Sequence, residues 1–180
     1  MKLDLTREIT FGQSVSARLD GSMLTIKGAK GEVSREFRSP KIRMTLVDKK
    51  VLLTVQKATK REKTMIGTFE AHITNMVKGV EEPHLYKLKV CSGHFPMNVS
   101  ISGKEFVIKN FLGEAVPRKV SIIPGVAVKI EGNDVTVSCP DKELAGKMAS
   151  LIENLCRITN RDRRIFQDGC YITEKVGKKM

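Results

Sequence analysis

The sequence predicts an α+β fold of two duplicated domains, each an antiparallel sheet with one packed helix. Three observations lead to this prediction. Apolar and polar residues alternate over most of the chain, two segments show helical spacing instead, and the order strand–strand–helix occurs twice. A period of two is typical of half-buried strands, and a spacing of three to four residues is typical of an amphipathic helix. A length of 180 residues allows two small cores.

The first half opens with strands joined by tight turns. Apolar and polar residues alternate over 15–19 and again over 23–27, and Asp20-Gly21 lies between the two runs. Asp-Gly is a strong hairpin signal there, because a type I′ turn needs a positive φ at its centre. GEVSREF predicts a third strand, and IRMTLV and VLLTV predict a hairpin around the charged turn DKK. The basic segment KATKREK, residues 57–63, is then expected to form a solvated loop.

One amphipathic helix is predicted in each half. In the first half, the apolar residues at helical spacing are Ile66, Phe69, Ile73, Met76, Val77 and Val80. In the second half they are Leu144, Met148, Leu151, Ile152 and Leu155. Gly79 is predicted to mark the end of the first helix, since glycine often follows the last helical residue.

The second half repeats the order of the first. NVSISGKEFVIKNFLGEA aligns with SARLDGSMLTIKGAKGEV at a shift of 82 residues, and Thr-Val at 136–137 aligns with Thr-Val at 54–55. The two helices align at a shift nearer 78 residues, which indicates a shortened loop. We therefore predict a first repeat at 1–82, a second at 83–156, and a basic C-terminal tail at 157–180 that exceeds the repeat.

Charge predicts the class of partner. The chain has 32 Lys and Arg against 20 Asp and Glu, a net charge of +12, which attracts polyanions. The tail alone has 7 basic and 3 acidic residues. Nucleic acid is the predicted partner. A membrane partner is not expected, because no signal peptide opens the chain, IIPGVAV is too short to span a bilayer, and neither helix has a polar face dominated by Lys or Arg.

Catalytic and metal-binding patterns are missing from the sequence. It has no phosphate-binding P-loop and no HExxH segment, so we expect neither an enzyme nor a cofactor. Cys91, Cys139, Cys156 and Cys170 form no CxxC pair, which argues against a zinc ribbon. We expect free, mostly buried thiols, as in a reducing cytoplasm, and no bound metal.

The densest basic cluster, RITNRDRR, opens the tail. Guanidinium groups pair with phosphate oxygens and stack on exposed bases. The alternative is a solvated helix end, where cations suit the helix dipole. Phe166 and Tyr171 are candidates for further stacking faces, but we expect them to be core anchors around an Asp168-Gly169 turn instead. The candidate RNA-contacting residues are Arg157, Asn160, Arg161, Arg163, Arg164, Lys175, Lys178 and Lys179 in the tail, and His94, Lys109, Asn110, Arg118 and Lys119 before it.

Four segments carry a resemblance to a known family. NMVKGV, HFPMNV, NFLGE and RDRRIFQDGCYITEK occur together in this order. With the doubled domain, they resemble the large-subunit ribosomal protein six family, in its archaeal and eukaryotic branch. The resemblance covers nearly the whole chain, and the combination of HFPMNV, NFLGE and R-x-F-x-D-G-x-Y is the specific part.

The resemblance implies a structural constituent of the large ribosomal subunit. It implies binding to large-subunit ribosomal RNA, mainly through the second domain and the tail, near the sarcin–ricin loop. Neighbouring ribosomal proteins, translational GTPases docking nearby and a location in cytoplasmic ribosomes are implied in the same way. The alternatives are a free RNA-binding assembly factor, which should bind RNA tightly away from ribosomes, and an RNA-modifying enzyme, which should have a cofactor pocket.

Overall fold

The computed structural model describes residues 3–12, 14–93 and 95–180 and divides into two compact units. The first unit extends to Pro83 and includes residues 140–142. The second comprises residues 84–139 and 143–180. Each unit has a hydrophobic core of its own.

The first unit contains six strands and one helix among its described residues. Its strands pair antiparallel in two sheets of order β1–β6–β5 and β2–β3–β4. The elements are β1 (Leu3–Thr10), β2 (Ser16–Asp20), β3 (Met23–Gly28), β4 (Gly31–Glu36), β5 (Ile42–Val47), β6 (Lys50–Ala58) and α1 (Lys60–Glu81).

The second unit repeats this plan and extends it. Its sheets have the order β10–β9–β8 and β11–β12–β7–β13–β14, again antiparallel. A short 3-10 helix, Phe111–Gly113, follows β9. The elements are β7 (His84–Cys91), β8 (Asn98–Ser102), β9 (Glu105–Lys109), β10 (Arg118–Ser121), β11 (Ala127–Glu131), β12 (Asp134–Cys139), α2 (Lys142–Leu155), β13 (Gly169–Lys175) and β14 (Lys178–Lys179).

The duplication is visible in the strand pairing. In each unit the first strand pairs with the sixth, the sixth with the fifth, and the second, third and fourth form a separate meander. The α+β duplication predicted from the sequence is confirmed. One detail differs, because each unit has two sheets where a single sheet was predicted. Alternation identifies strands but does not say which strands share hydrogen bonds.

Alternate strand residues and one face of each helix fill the two cores. The fully buried side chains of the first core include Leu24, Ile26, Val51, Leu53, Ile66, Ile73 and Val80. Those of the second include Leu88, Phe106, Ile108, Val135, Val137, Met148 and Ile152. Burying one such side chain contributes roughly 1.5–3 kcal/mol, so both cores rest on aliphatic packing.

Most of the two-residue turns share one backbone feature, and the β3–β4 turn between Gly28 and Gly31 is an exception. The first central residue has a positive φ at Gly21 (+62°), Asp48 (+49°), Gly103 (+61°) and Gly132 (+61°). This conformation suits glycine and is tolerated by aspartate. The hairpins predicted at Asp20-Gly21 and at DKK are confirmed, with Gly21 at the first central position of its turn.

The prediction of a solvated loop at 57–63 is wrong. Strand β6 continues to Ala58, and α1 begins at Lys60. The backbone N–H of Thr59 donates to Glu62 Oε2 at 2.9 Å, which satisfies a donor at the helix start. The helix also continues through Gly79 to Glu81, because Gly79 is buried in the packed face of the helix.

The C-terminal segment is not an appended tail along its whole length. Strand β13 pairs with β7 inside the five-stranded sheet, and Ile172 N–H donates to Glu153 Oε1 of α2 at 3.1 Å. The hypothesis that Phe166 and Tyr171 are core anchors is wrong. Cys170 points into the core, so strand alternation turns Tyr171 outward, where it is 37% exposed, and Phe166 is only half-buried.

Candidate nucleic-acid interface

The arginine cluster lies on the connection between α2 and β13. We call residues 157–168 the basic loop. Helix α2 ends at Leu155, and Arg157 lies two residues beyond that end, where its backbone N–H donates to Asn154 O at 3.1 Å. Arg161, Arg163 and Arg164 follow in the loop and are exposed. Only Arg157 lies beside the end of α2, so the alternative of a solvated helix end does not apply to the other three arginines.

Asp162 organises the tip of the basic loop. Its carboxylate accepts from the backbone N–H of Arg164 at 2.9 Å and from Arg164 Nη2 at 2.7 Å, and these bonds lower the pKa of Asp162. Its carbonyl accepts from the N–H of Ile165 and of Phe166. The Arg161 guanidinium lies 5.0 Å from the centre of the Phe166 ring. An exposed Arg–carboxylate pair is weak in water, so a phosphate can compete for Arg164.

The C-terminal end of the basic loop is anchored by a buried carboxylate. Asp168 is 2% exposed and accepts a hydrogen bond from the backbone N–H of Gly93, beyond the end of β7. A buried charge of this kind is stabilised only when it is hydrogen-bonded. The loop is therefore fixed to β7 at the point where β13 begins.

Two thiols meet across the ends of the basic loop. Cys156, directly after α2, shares a hydrogen bond with Cys170 of β13. That hydrogen bond lowers the pKa of the Cys156 thiol, and the same bond together with burial raises the pKa of Cys170. All four cysteines of the chain are free, and only Cys91 is not fully buried.

Arg118 holds the start of the basic loop. Its Nε and Nη2 donate to the Glu114 carboxylate at 2.8 and 2.6 Å, and its Nη1 donates to the carbonyl oxygens of Leu155 at 2.8 Å and Arg157 at 3.2 Å. Its guanidinium lies 4.3 Å from the centre of the Phe111 ring. The pair with Glu114 raises the pKa of Arg118 and lowers that of Glu114. Arg118 thus connects the last carbonyl of α2 to the start of the basic loop.

The other candidates before the tail lie at the β8–β9–β10 sheet. Lys109 is exposed at the end of β9, and the Asn110 side chain donates to Pro96 O at 3.0 Å. Lys119 is exposed on β10, with its Nζ 3.5 Å from Glu105 Oε2. His94 lies outside the described residues. Arg118, on β10, is the residue that connects this sheet to the basic loop.

The C-terminal lysines do not join the arginine cluster. Lys175 ends β13, six residues beyond its start, which is roughly 20 Å along a strand. Lys178 pairs with Lys175 and Lys179 pairs with Glu174 in the short β13–β14 ladder. The sequence-predicted basic residues therefore form separate groups rather than one site.

The structure adds exposed lysines that the sequence analysis missed. A row of paired residues crosses the outer face of the five-stranded sheet in the order Lys129, Thr136, Lys87, Glu174 and Lys179. Lys87 Nζ lies 2.8 Å from Glu174 Oε2, and the hydrogen bond between them raises the pKa of Lys87. The signal was present in HLYKLKVC, because its alternation places the lysines opposite the buried residues.

Metal and membrane features are not found in the described part of the chain. Over residues 3–12, 14–93 and 95–180, no group of three or more His, Cys, Asp or Glu side chains is placed to hold a metal ion. Neither described helix is long and apolar enough to cross a membrane.

Comparisons with known proteins match the chain nearly end to end. The family described as Ribosomal protein L6 matches residues 11–82 and 95–169, one match in each half of the chain. Similar proteins include the large ribosomal subunit protein uL6 of Nanoarchaeum equitans, 41% identical over 96% of this chain and 94% of the relative. The protein of the same name from Methanococcus vannielii is 40% identical over 97% and 96%, and that from Methanocella arvoryzae 42% over 98% and 100%.

Proposed function

Because this chain belongs to the ribosomal protein L6 family, we propose that it is built into the large ribosomal subunit and that its basic loop binds large-subunit ribosomal RNA near the sarcin–ricin loop. As a member of this family it is a structural protein and not an enzyme. Its place is in cytoplasmic ribosomes, beside other ribosomal proteins and close to where translational GTPases dock.

The observation that carries this proposal is a fixed loop with exposed arginines. Arg118 holds its start, Asp168 fixes its end, and Asp162 orders its tip. A guanidinium can form two parallel hydrogen bonds with phosphate oxygens, and a fixed loop loses little entropy on binding. The loop therefore presents cations in a defined geometry to folded RNA.

The proposed RNA contacts come from three separate sets of residues in the second unit. Arg157, Asn160, Arg161, Arg163 and Arg164 of the basic loop contact phosphates. Lys109, Asn110 and Lys119 form a second group, Lys175, Lys178 and Lys179 a third, and His94 stays a predicted contact. Arg118 is a positioning residue, since its donors are engaged inside the protein. The second unit is proposed as the main RNA-binding unit.

The mechanism is recognition of RNA shape. A-form grooves hide base edges from side chains, so phosphate positions carry most of the recognition in helical RNA. Strand β13 is already paired with β7 in the sheet. The C-terminal segment therefore contacts RNA as a folded part of the second unit and does not need to fold on binding.

The location is tested by directed hydroxyl-radical probing in reconstituted large subunits. An iron chelate is attached to Arg163→Cys in the basic loop and, as a control, to Arg18→Cys, an exposed position of the first unit. Both variants also carry Cys91→Ala, because Cys91 is a free thiol that is not fully buried and would react with the chelate. Cleavage in or beside the sarcin–ricin hairpin from position 163, with a different pattern from position 18, is the expected result. Cleavage confined to distant RNA overturns the proposed location. Incorporation into precursor particles but not mature subunits favours the assembly-factor alternative.

A further inference from the structure

A cleft in the second unit borders the arginines of the basic loop. It has a volume of about 840 Å³ and lies between the end of β7, the β11–β12 turn and the start of β13. Its lining includes Arg163, Arg164, Phe166, Gln167, Tyr171 and Asn133. A volume of this size is within the range of small-ligand sites.

The cleft contains two of the few aromatic rings of the chain. The sequence has seven Phe, two Tyr and no Trp. Phe166 and Tyr171 are the two that the basic loop and β13 leave accessible in the cleft. An exposed aromatic ring gains nothing by facing water, whereas a nucleobase can stack on it.

The Tyr171 ring is held in a fixed orientation. Its hydroxyl donates to the Asp168 carbonyl at 3.4 Å. A Cβ added to Gly169 would lie 3.3 Å from atoms of this ring, and Gly169 has φ +156°. The glycine therefore lets the ring lie against the backbone, and Tyr171 stays 37% exposed where it lines the cleft.

The polar groups of the cleft suit a nucleotide. Asn133 carries an amide that can both donate to and accept from a base edge. Gln167 Nε2 donates to Arg164 O at 3.3 Å, and its amide oxygen and second N–H can still contact a base. The position of Asn133 is fixed, since its carbonyl accepts from Val90 N–H at 2.7 Å. Arg163 and Arg164 supply cations for the phosphate. Aromatic faces, amides and guanidinium groups together match a base and its phosphate.

We propose that this cleft binds one unstacked nucleotide of the RNA, with the base on Tyr171 and Phe166 and the phosphate on Arg163 and Arg164. This inference rests on the proposed function. Unpaired bases in loops and bulges are the parts of an RNA that a protein can stack on its aromatic side chains. The contact adds recognition of a particular unpaired position to the phosphate contacts of the basic loop.

The test measures binding of the full chain to a large-subunit RNA fragment containing the sarcin–ricin hairpin, across a salt series. Tyr171→Thr removes the ring and keeps a residue suited to a strand. Ile101→Thr is the matched control, an exposed strand residue outside the cleft. Tyr171→Thr is expected to weaken binding about 5- to 150-fold with an unchanged salt slope, because stacking releases no counterions. Ile101→Thr should bind like the wild type.

Abasic substitution of each unpaired nucleotide identifies the position that occupies the cleft. One substitution is expected to weaken binding of the wild type and to cause no further loss with Tyr171→Thr. If no position shows this non-additivity, or if Tyr171→Thr binds like the control, the inference is wrong. Loss of affinity in Arg161/Arg163/Arg164→Ala would still support the basic loop in that case. If that triple variant also binds normally, the proposed function fails with it.

Titration with free mononucleotides tests whether the cleft binds a free nucleotide rather than a nucleotide of the RNA. AMP, GMP, CMP and UMP are titrated separately against the full chain. Binding no tighter than the millimolar range is expected, since the RNA contributes its other phosphates to the affinity. Micromolar binding of a mononucleotide, unchanged by RNA, would identify a free-nucleotide site and overturn the inference.

Discussion

Arg118 and Arg164 lie on the same unit and serve different purposes. Arg118 bonds to Glu114 and to the last carbonyl of α2. Arg164 has a side chain that is 90% exposed, and it forms an ion pair with Asp162, two residues earlier in the chain. The sequence identifies both as basic. It cannot predict this difference, because the contacts of Arg118 with Leu155 and Arg157 span more than 35 residues.

Replacing Arg118 is expected to destabilise the protein. Arg118→Ala leaves Glu114 without its partner and the last carbonyl of α2 without its donor, which should cost about 1–3 kcal/mol of unfolding free energy. Lys119→Ala, at the neighbouring exposed position, should change it by less than about 0.5 kcal/mol. Urea unfolding of both variants checks this. Equal stabilities for the two variants would contradict the positioning role of Arg118.

The start of α1 shows what local sequence patterns can and cannot predict for an element. The apolar spacing correctly predicted the helix from Ile66 onward, and the charged first turn was mistaken for a loop. The correct signal was available, since Thr59 and Glu62 have the spacing of a capping box. Strand β13 was missed for another reason, because its partner β7 lies more than 75 residues earlier in the chain.

Glu62 should make stability fall in acid. Hydrogen bonds from the Thr59 hydroxyl and from Lys41 lower the pKa of Glu62 from 4.5 to about 2. A lowered pKa means that its stabilising effect is full above pH 4.5 and is lost as the pH falls toward 2.

Chemical unfolding at several pH values measures this effect. Glu62→Gln is expected to be less stable than the wild type near neutral pH, and the difference should shrink as the pH falls from 4.5 to 2. Glu32→Gln controls for the loss of one exposed charge. A difference that stays constant over that pH range would show that ionised Glu62 is not what stabilises the start of α1.

At the scale of the whole molecule, duplication and charge were predictable and the binding surface was not. Internal alignment revealed the two repeats, because each repeat keeps its own core pattern. The arginine cluster was recognisable in the sequence itself, as the segment RITNRDRR. The cleft was not, since its lining comes from β7, the β11–β12 turn and the basic loop, which only the folded sheet brings together.

Truncation tests whether the C-terminal segment is part of the second unit. Residues 84–180 are expected to fold alone with one cooperative transition. Removing residues 157–180 should abolish that transition, because β13 pairs with β7 and places Cys170 in the core. Circular dichroism and thermal unfolding report the outcome. A truncated fragment that unfolds as cooperatively as the longer one would contradict this view of β13.

The basic loop is proposed to bind large-subunit RNA through its arginines. The most direct measurement is the affinity of the full chain for the sarcin–ricin fragment between low and high salt. Three chains are compared: wild type, Arg161/Arg163/Arg164→Ala, and Arg18/Arg38/Arg43→Ala, which removes the same charge from exposed positions of the first unit.

The basic-loop variant is expected to bind more weakly, and its slope of log affinity against log salt should be smaller by about 2, since fewer counterions are released. The first-unit variant should keep a slope close to that of the wild type. If both variants lose affinity and slope equally, binding reflects total charge, and the basic loop is not the site.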